Sequence, residues 1–407
     1  MKNNRAAIVF IMLTVMIDAM GIGLMIPVMP DLIREVNGGD LGQAALWGGV
    51  LATTFAVMQF LFGPVMGGLS DRFGRRPVLL VSLGVMAADY VVMALAGSIW
   101  LLLLGRVVGG VTAATQSTAT AYMADISTPT ERTRNFGLVG AAFGFGFVLG
   151  PVMGGLLAEY GTRAPFWAAA LLGTGNLMLG YVVLRETVKP ADRRPFNWRR
   201  ANPLGAVRQL GKLPGVRNLL LVYFLYQVAF SVYPSIWSYF GQERFGWTPA
   251  IIGLSLAFFG GTMALVQGGL ISPLLRWLGE RGTVLTGYAF AAAAYGGLAV
   301  LSSGPIALIL TPLAALAGVI PPALQGIMSR RVAPNAQGEL QGALTSASAL
   351  AMILSPLVMT ATFARFTGAD APIYLPGAPF VLALLLTLLG AAIFLGRLGA
   401  VRDTDLT

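Results

Sequence analysis

Gly67-Gly68-Leu69-Ser70-Asp71-Arg72-Phe73-Gly74-Arg75-Arg76-Pro77 is a charged turn set between two long apolar runs, and its reading decides the fold. Before it, from about 43 to 66, and after it, from about 78 to 96, nearly every residue is apolar or small, and Asp89 is the only charge. Each run has the length of a helix that crosses a hydrocarbon core, about 20 residues. The turn therefore sits in water at one membrane face. Its three arginines place it on the cytoplasmic side, because short cytoplasmic loops collect Arg and Lys.

The rest of the chain repeats that logic. Of 407 residues, 56% are hydrophobic and 11% are charged, against roughly a quarter charged in a soluble domain, which excludes a large soluble core. Apolar runs this long exclude a transmembrane barrel, whose strands alternate in polarity over about ten residues. Helices also satisfy their own peptide groups in lipid. A net charge of +10 would point to nucleic acid in a soluble protein, but the basic residues here lie between apolar runs and mark topology at anionic lipid, so no nucleic-acid partner is expected. With no Cys, disulfides and thiolate chemistry are excluded. With no His, proton chemistry falls to carboxylates.

Twelve candidate spans follow, from about 6–28, 43–68 and 77–97 to 338–362 and 376–396. The fold expected is an all-α membrane protein of two six-helix bundles, 1–184 and 216–407, joined by a cytoplasmic linker, 185–215, with both termini inside. In that orientation only Arg34, Arg163, Arg244 and Arg365 of the 27 Lys and Arg fall outside, and Arg106 lies within the fourth span. In the linker, Pro195-Phe196-Asn197-Trp198-Arg199-Arg200 reads either as a short interfacial helix or as a flexible tether. The halves resemble each other at an offset of 205 residues: Gly74 matches Gly279, and Gly150-Pro151 matches Ser355-Pro356. Their charges differ, since Asp71 matches Arg276 and only the first half carries charge deep in a span.

Those deep charges are Asp18, Asp89 and Arg106. A charge at bilayer depth costs roughly 2.5–3.5 kcal/mol on insertion scales, so each needs a reason. One reading is a buried ion pair in which Arg106 compensates a carboxylate. The other is a carboxyl group that takes up and releases a proton during transport, with Asp18 and Asp89 as candidates and Arg106 as a gate or polar anchor. In the fifth span Gly146, Gly150 and Gly154 form a smooth stripe, and Pro151 removes a backbone hydrogen bond, which suits either close packing or a rocking helix. Gln59, Gln116, Tyr226, Gln227, Tyr233, Trp237, Gln267, Gln325 and Thr345 are polar or amphipathic residues within spans. They read either as the lining of a cavity for an amphipathic ligand or as interhelical bonds and interfacial anchors. No phosphate-binding Gly-Lys-Ser loop, metal cluster or nucleophile elbow is present, so neither an enzyme nor a cofactor is expected.

The loop Gly68 to Arg76 resembles the signature loop of the major facilitator superfamily, and Gly146 to Gly155 resembles the fifth-helix motif of its drug/proton antiporters. Asp18-Ala19-Met20-Gly21-Ile22-Gly23, Asp89-Tyr90, Arg244-Phe245-Gly246-Trp247 and Pro322-Ala323-Leu324-Gln325-Gly326 are similar to the tetracycline efflux antiporters. The resemblance implies a monomeric exporter in a bacterial inner membrane, which exchanges a tetracycline chelated to a divalent cation such as magnesium for a proton. It also implies that Asp18 is a cavity carboxylate, that Asp89 supports it, and that Asp71, Arg72, Arg75 and Asp125 form a cytoplasmic gate. The pattern departs from the family in two places. The ninth span has no acid, and Met263 stands where a histidine is typical. The alternatives are a superfamily exporter or importer of another small molecule, or an uncoupled membrane receptor or lipid-handling protein.

Overall fold

The chain begins with a 24-residue helix, α1 (Lys2–Met25), in a computed structural model that describes residues 2–113, 115–193, 195, 196 and 215–402. Among these residues every regular element is helical. The expected spans 6–28 and 43–68 leave the residues between them without an assigned element. The structure instead has α2 (Met29–Asn37), started by Pro30 in its first turn and ended by Gly38 at φ 69°. Pro30, Leu32 and Ile33 on one face are buried, and that burial holds a helix too short to stand alone. Next come α3 (Leu41–Phe73) and α4 (Arg75–Leu95), separated by Gly74 at φ 106°, a conformation that costs glycine little. α5 (Ile99–Thr112) and α6 (Thr115–Ile126) make one crossing, followed by α7 (Arg132–Leu157) and α8 (Ala164–Val183).

The second half repeats the plan. α9 (Arg217–Phe230) and α10 (Val232–Phe245) share one crossing. α11 (Pro249–Leu265) passes through a π-helical turn, Val266–Leu270, into α12 (Ile271–Val300). α13 (Gly304–Leu316) and α14 (Ile320–Arg331) are joined by a 3₁₀ turn, and α15 (Gln337–Thr367) and α16 (Ala378–Arg402) complete the chain. Eleven helical stretches among the described residues are long and apolar enough to cross a membrane, and one of them, Pro249–Val300, has 52 residues. Gly279, at φ 64° and ψ 177°, breaks that stretch into two crossings. The fold is thus twelve membrane helices in two six-helix halves.

The chain forms two compact units. The first draws on Met1–Gly39, Thr54–Pro203 and Trp247–Ala257, the second on Asp40–Thr53, Leu204–Gly246 and Phe258–Thr407. In the first, the glycine stripe of α7 lies directly on α1: a Cβ at Gly146, Gly150 or Gly154 would meet the carbonyl oxygen of Met16, Met20 or Leu24 in turn. Both sets recur every four residues, so two helix backbones touch along their length, as small residues permit. Phe10, Ile11, Leu79, Leu83, Tyr122 and Met123 fill the core beneath. The start of α11 joins this unit because Gly253 rests on the carbonyl of Pro151.

In the second unit the start of α3 packs on α15 in a similar way. Gly49 rests against Thr360 and the carbonyl of Pro356, and Thr53 Oγ1 donates to the carbonyl of Ile353 at 3.0 Å. Gly253 stands 204 residues after Gly49 and Pro356 205 after Pro151, so the exchanged segments follow the internal repeat to within one residue. The core here is aromatic. Tyr233 stacks on Phe259 at 5.2 Å between ring centres, and Trp237, Tyr295 and Phe380 surround the pair.

Candidate functional site

Asp18 sits two-thirds of the way along α1, half-buried, with no hydrogen bond or ion pair among the described residues. One turn before it, Thr14 Oγ1 donates to Asn176 Oδ1 of α8 at 3.1 Å. Three residues after it, Gly21 lies against the Tyr90 hydroxyl, where any Cβ would collide. A carboxyl group so placed has polar residues nearby and no cationic partner among the described residues.

Asp89 is different. Arg106 Nη2 lies 2.6 Å from Asp89 Oδ2, with the two side chains 7% and 4% exposed, so each charge is neutralised where water is scarce. The same guanidinium touches the Met93 sulfur at 2.7 Å and lies 5.3 Å from the centre of the Phe55 ring. Two glycines make the slot for the carboxylate: a Cβ at Gly105 would stand 2.5 Å from Asp89 Oδ1, and one at Gly109 2.9 Å from Oδ2. Sequence reading missed both glycines. Their signal was available, since they flank the one arginine of that span.

The stretch read from sequence as a charged turn is helical on both sides of Gly74, as the end of α3 and the start of α4, and it builds a second polar centre. Arg75 Nη1 lies 2.6 Å from Asp71 Oδ1 and donates to Ser70 Oγ at 2.6 Å, while its Nε reaches Asp125 Oδ2 at 3.3 Å. Arg72 points away, with its guanidinium 5.1 Å from the Phe73 ring centre and no acidic partner among the described residues. Two further members come from beyond the sixth span. The Glu186 carboxylate accepts the backbone N–H of Arg75 at 2.9 Å and of Arg76 at 3.2 Å, which caps the start of α4. Thr187 Oγ1 donates to Asp125 Oδ2 at 2.9 Å. Nothing in the sequence connects residue 186 to residue 75.

The polar residues read from the spans do not gather into one set. Gln59 is half-buried on α3, and Gln116 is on α6 with its side chain outside the described residues. Tyr226 is buried and donates to the carbonyl of Ala317 at 3.0 Å. Gln227 Nε2 and the Tyr223 hydroxyl share Ser348 Oγ at 3.2 and 3.0 Å. Tyr233 is buried in the aromatic core, its hydroxyl without a hydrogen-bond partner among the described residues, and Trp237 is buried beside it. Gln267 is exposed in the π-helical turn, Gln325 is half-buried on α14, and Thr345 is exposed on α15. Asn197 to Arg200 of the linker lie outside the described residues. No group of three potential metal ligands occurs among the described residues.

A sequence profile described as "Major Facilitator Superfamily" matches residues 11–356. The chain belongs to the major facilitator superfamily. This transporter is 44% identical over 364 residues to the tetracycline resistance protein, class C, of Escherichia coli, with 89% of this chain and 91% of that protein covered. It is 41% identical over 372 residues to the class G protein of Vibrio anguillarum, covering 90% and 92%. Among solved structures, the human organic anion transporter MFSD10 (TETRAN) matches at TM-score 0.68 and 26% identity, covering 96% of this chain and 99% of that one. The nucleoside transporter NupG matches at TM-score 0.78 and 9% identity, with coverage of 96% and 99%, which shows the shared fold alone.

Within this superfamily member the repeat carries one more pair that sequence reading overlooked. Positions 205 residues after Arg75 and Asp125 hold Glu280 and Arg330, and these two form an ion pair in the second unit. The match of Asp71 with Arg276 alone predicts a second-half loop without the corresponding acid. The structure corrects this: the link between loop and helix end persists with its charges reversed. Gly326 makes room for it, since a Cβ there would stand 2.7 Å from Glu280 Oε1.

Proposed function

We propose that this transporter exports a tetracycline, carried as a monocationic chelate of a divalent cation such as magnesium, in exchange for a proton. The observation that carries the reading is Asp18, a deep carboxylate with no cationic partner among the described residues, on a chain 44% identical to a tetracycline resistance protein. An unpaired carboxyl group at membrane depth binds either a proton or a cationic ligand, and the two exclude each other. That competition is the minimal device for exchange under alternating access. Asp89 does not share the task, because Arg106 already holds its charge. Asp71, Arg75 and Asp125, tied down by Glu186 and Thr187, act as the cytoplasmic gate. The halves 1–184 and 216–407 serve as the moving bodies, with 185–215 as their tether and both termini inside a bacterial inner membrane. The protein works as a monomer.

Everted membrane vesicles test this. A pH gradient drives tetracycline uptake into vesicles bearing the wild-type chain, and a protonophore collapses it. Asp18→Asn abolishes the gradient-driven uptake while protein in the membrane stays constant. Equal uptake by wild type and Asp18→Asn overturns the reading. One observation favours a second cargo: the ninth span has no acid, and Met263 occupies a position where tetracycline exporters typically have histidine. Proton-driven uptake of another amphipathic drug, with none of tetracycline, supports that reading instead.

A further inference from the structure

On the face whose loops carry the basic residues, the second unit contains a cavity of about 410 Å³, lined by none of the residues assigned to the exchange above. Leu278, Glu280, Arg281, Ile327, Arg330 and Arg331 line it. Gly279, at φ 64°, turns the chain at its edge, so that Glu280 folds onto α14 over Gly326 and pairs with Arg330. That pair uses the one acid of the lining. Arg281 and Arg331 are exposed, with no acidic partner among the described residues, so three arginines against one glutamate leave two positive charges uncompensated. Like charges gathered in one concavity attract an anion, and guanidinium groups match the geometry of phosphate oxygens. Beside the cavity Trp277 is 78% exposed and Leu278 47% exposed. An exposed indole where a basic loop meets an apolar helix is suited to the headgroup level of a bilayer.

At the matching place in the first unit the arginines are engaged or replaced. There Arg75 is taken by Asp71 and Asp125, Arg76 donates to the carbonyl of Tyr181 at 2.9 Å, and Ile126 stands 205 residues before Arg331. The arginine excess is therefore particular to the second unit. We propose that this cavity binds a phosphate group, presented by an anionic phospholipid of the leaflet facing the basic loops, with Arg281 and Arg331 as its donors and Trp277 against the adjoining glycerol and acyl region. The bound lipid joins the Gly279 break within α12 to the end of α14.

The full-length chain, purified in detergent, is incubated with phosphatidylglycerol or phosphatidylcholine, and retained lipid is read by native mass spectrometry. Wild type retains phosphatidylglycerol in preference to phosphatidylcholine. R281Q/R331Q weakens that retention by roughly tenfold or more. R134Q/R193Q removes the same charge elsewhere and leaves it unchanged. Both variants change exposed side chains, and an unaltered unfolding temperature confirms that they fold. A third arm adds inorganic phosphate. Failure to displace the lipid assigns the site to a lipid headgroup, and displacement that R281Q/R331Q abolishes assigns it to free phosphate. Retention unaffected by R281Q/R331Q, an equal loss in R134Q/R193Q, or equal binding of both lipids overturns the proposal.

Discussion

The Glu186 carboxylate accepts the backbone N–H of Arg75 at 2.9 Å, so an acid from beyond the sixth span fixes the first residue of α4. Arg76 donates to the same group at 3.2 Å, and Thr187 completes the contact through Asp125. The turn that carries Asp71 and Arg75 is thus held from outside as well as by its own charges. Glu186→Ala removes the cap and lowers stability by about 1 kcal/mol. Thermal unfolding in detergent reads this loss, and Glu186→Gln, which keeps one acceptor, loses less.

Breaking the Asp89–Arg106 pair from one side is expected to harm the fold more than removing both charges. Arg106→Met leaves a buried carboxylate alone and costs about 3 kcal/mol. Asp89→Asn combined with Arg106→Met regains most of that loss, because neither charge then needs a partner. Unfolding temperatures of the two single variants and the double variant form the cycle. A double variant that also keeps gradient-driven transport establishes Asp89 as structural.

Two neighbouring glycines of α7 separate packing from flexibility. Gly146→Ala forces a methyl group onto the Met16 carbonyl, and backbone cannot yield as a side chain can, so a loss of about 1–3 kcal/mol follows. Gly144→Ala meets open space and gains up to about 1 kcal/mol from its higher helix propensity. Unfolding temperatures of the two variants move in opposite directions.

Glu131 supplies a pH test in the loop before α7. The Thr128 hydroxyl donates to its carboxylate at 2.7 Å and the Thr128 backbone also bonds to it, which holds the carboxyl group below its ordinary value. A depressed value in the folded state means that the contribution is present above the ordinary glutamate pKa and is lost as pH falls through the folded one. Thr128→Ala moves the Glu131 titration up toward the ordinary range, as read by carbon-13 NMR of the carboxyl group.

Much of the architecture was legible without coordinates because membrane crossing is a property of local composition. An apolar run of the right length must be a helix in lipid, whatever lies beside it, and the Arg and Lys of loops such as Arg72-Phe73-Gly74-Arg75-Arg76 are counted one segment at a time. The twelve crossings, the repeat at 205 residues and the three deep charges all follow from that kind of reading. The short helix α2 did not, because its stability comes from burying Pro30, Leu32 and Ile33 against other parts of the fold. Neither did the different surroundings of two acids of equal chemistry. Asp18 and Asp89 look alike in sequence, and only packing decides that Arg106 reaches one of them, through a slot left by Gly105 and Gly109.

The charged turn Gly67 to Pro77 shows the same limit. Its sequence by itself determined that it lies in water at a membrane face, since a hydrocarbon core cannot hold its charges unpaired. Tertiary structure alone decided which groups answer them: Asp125 and Glu186 approach Arg75 from 50 and 111 residues away, and Glu280 and Arg330 repeat the link with opposite signs. Solvation acts on each segment separately, whereas pairing depends on which segments the fold brings within about 3 Å of one another.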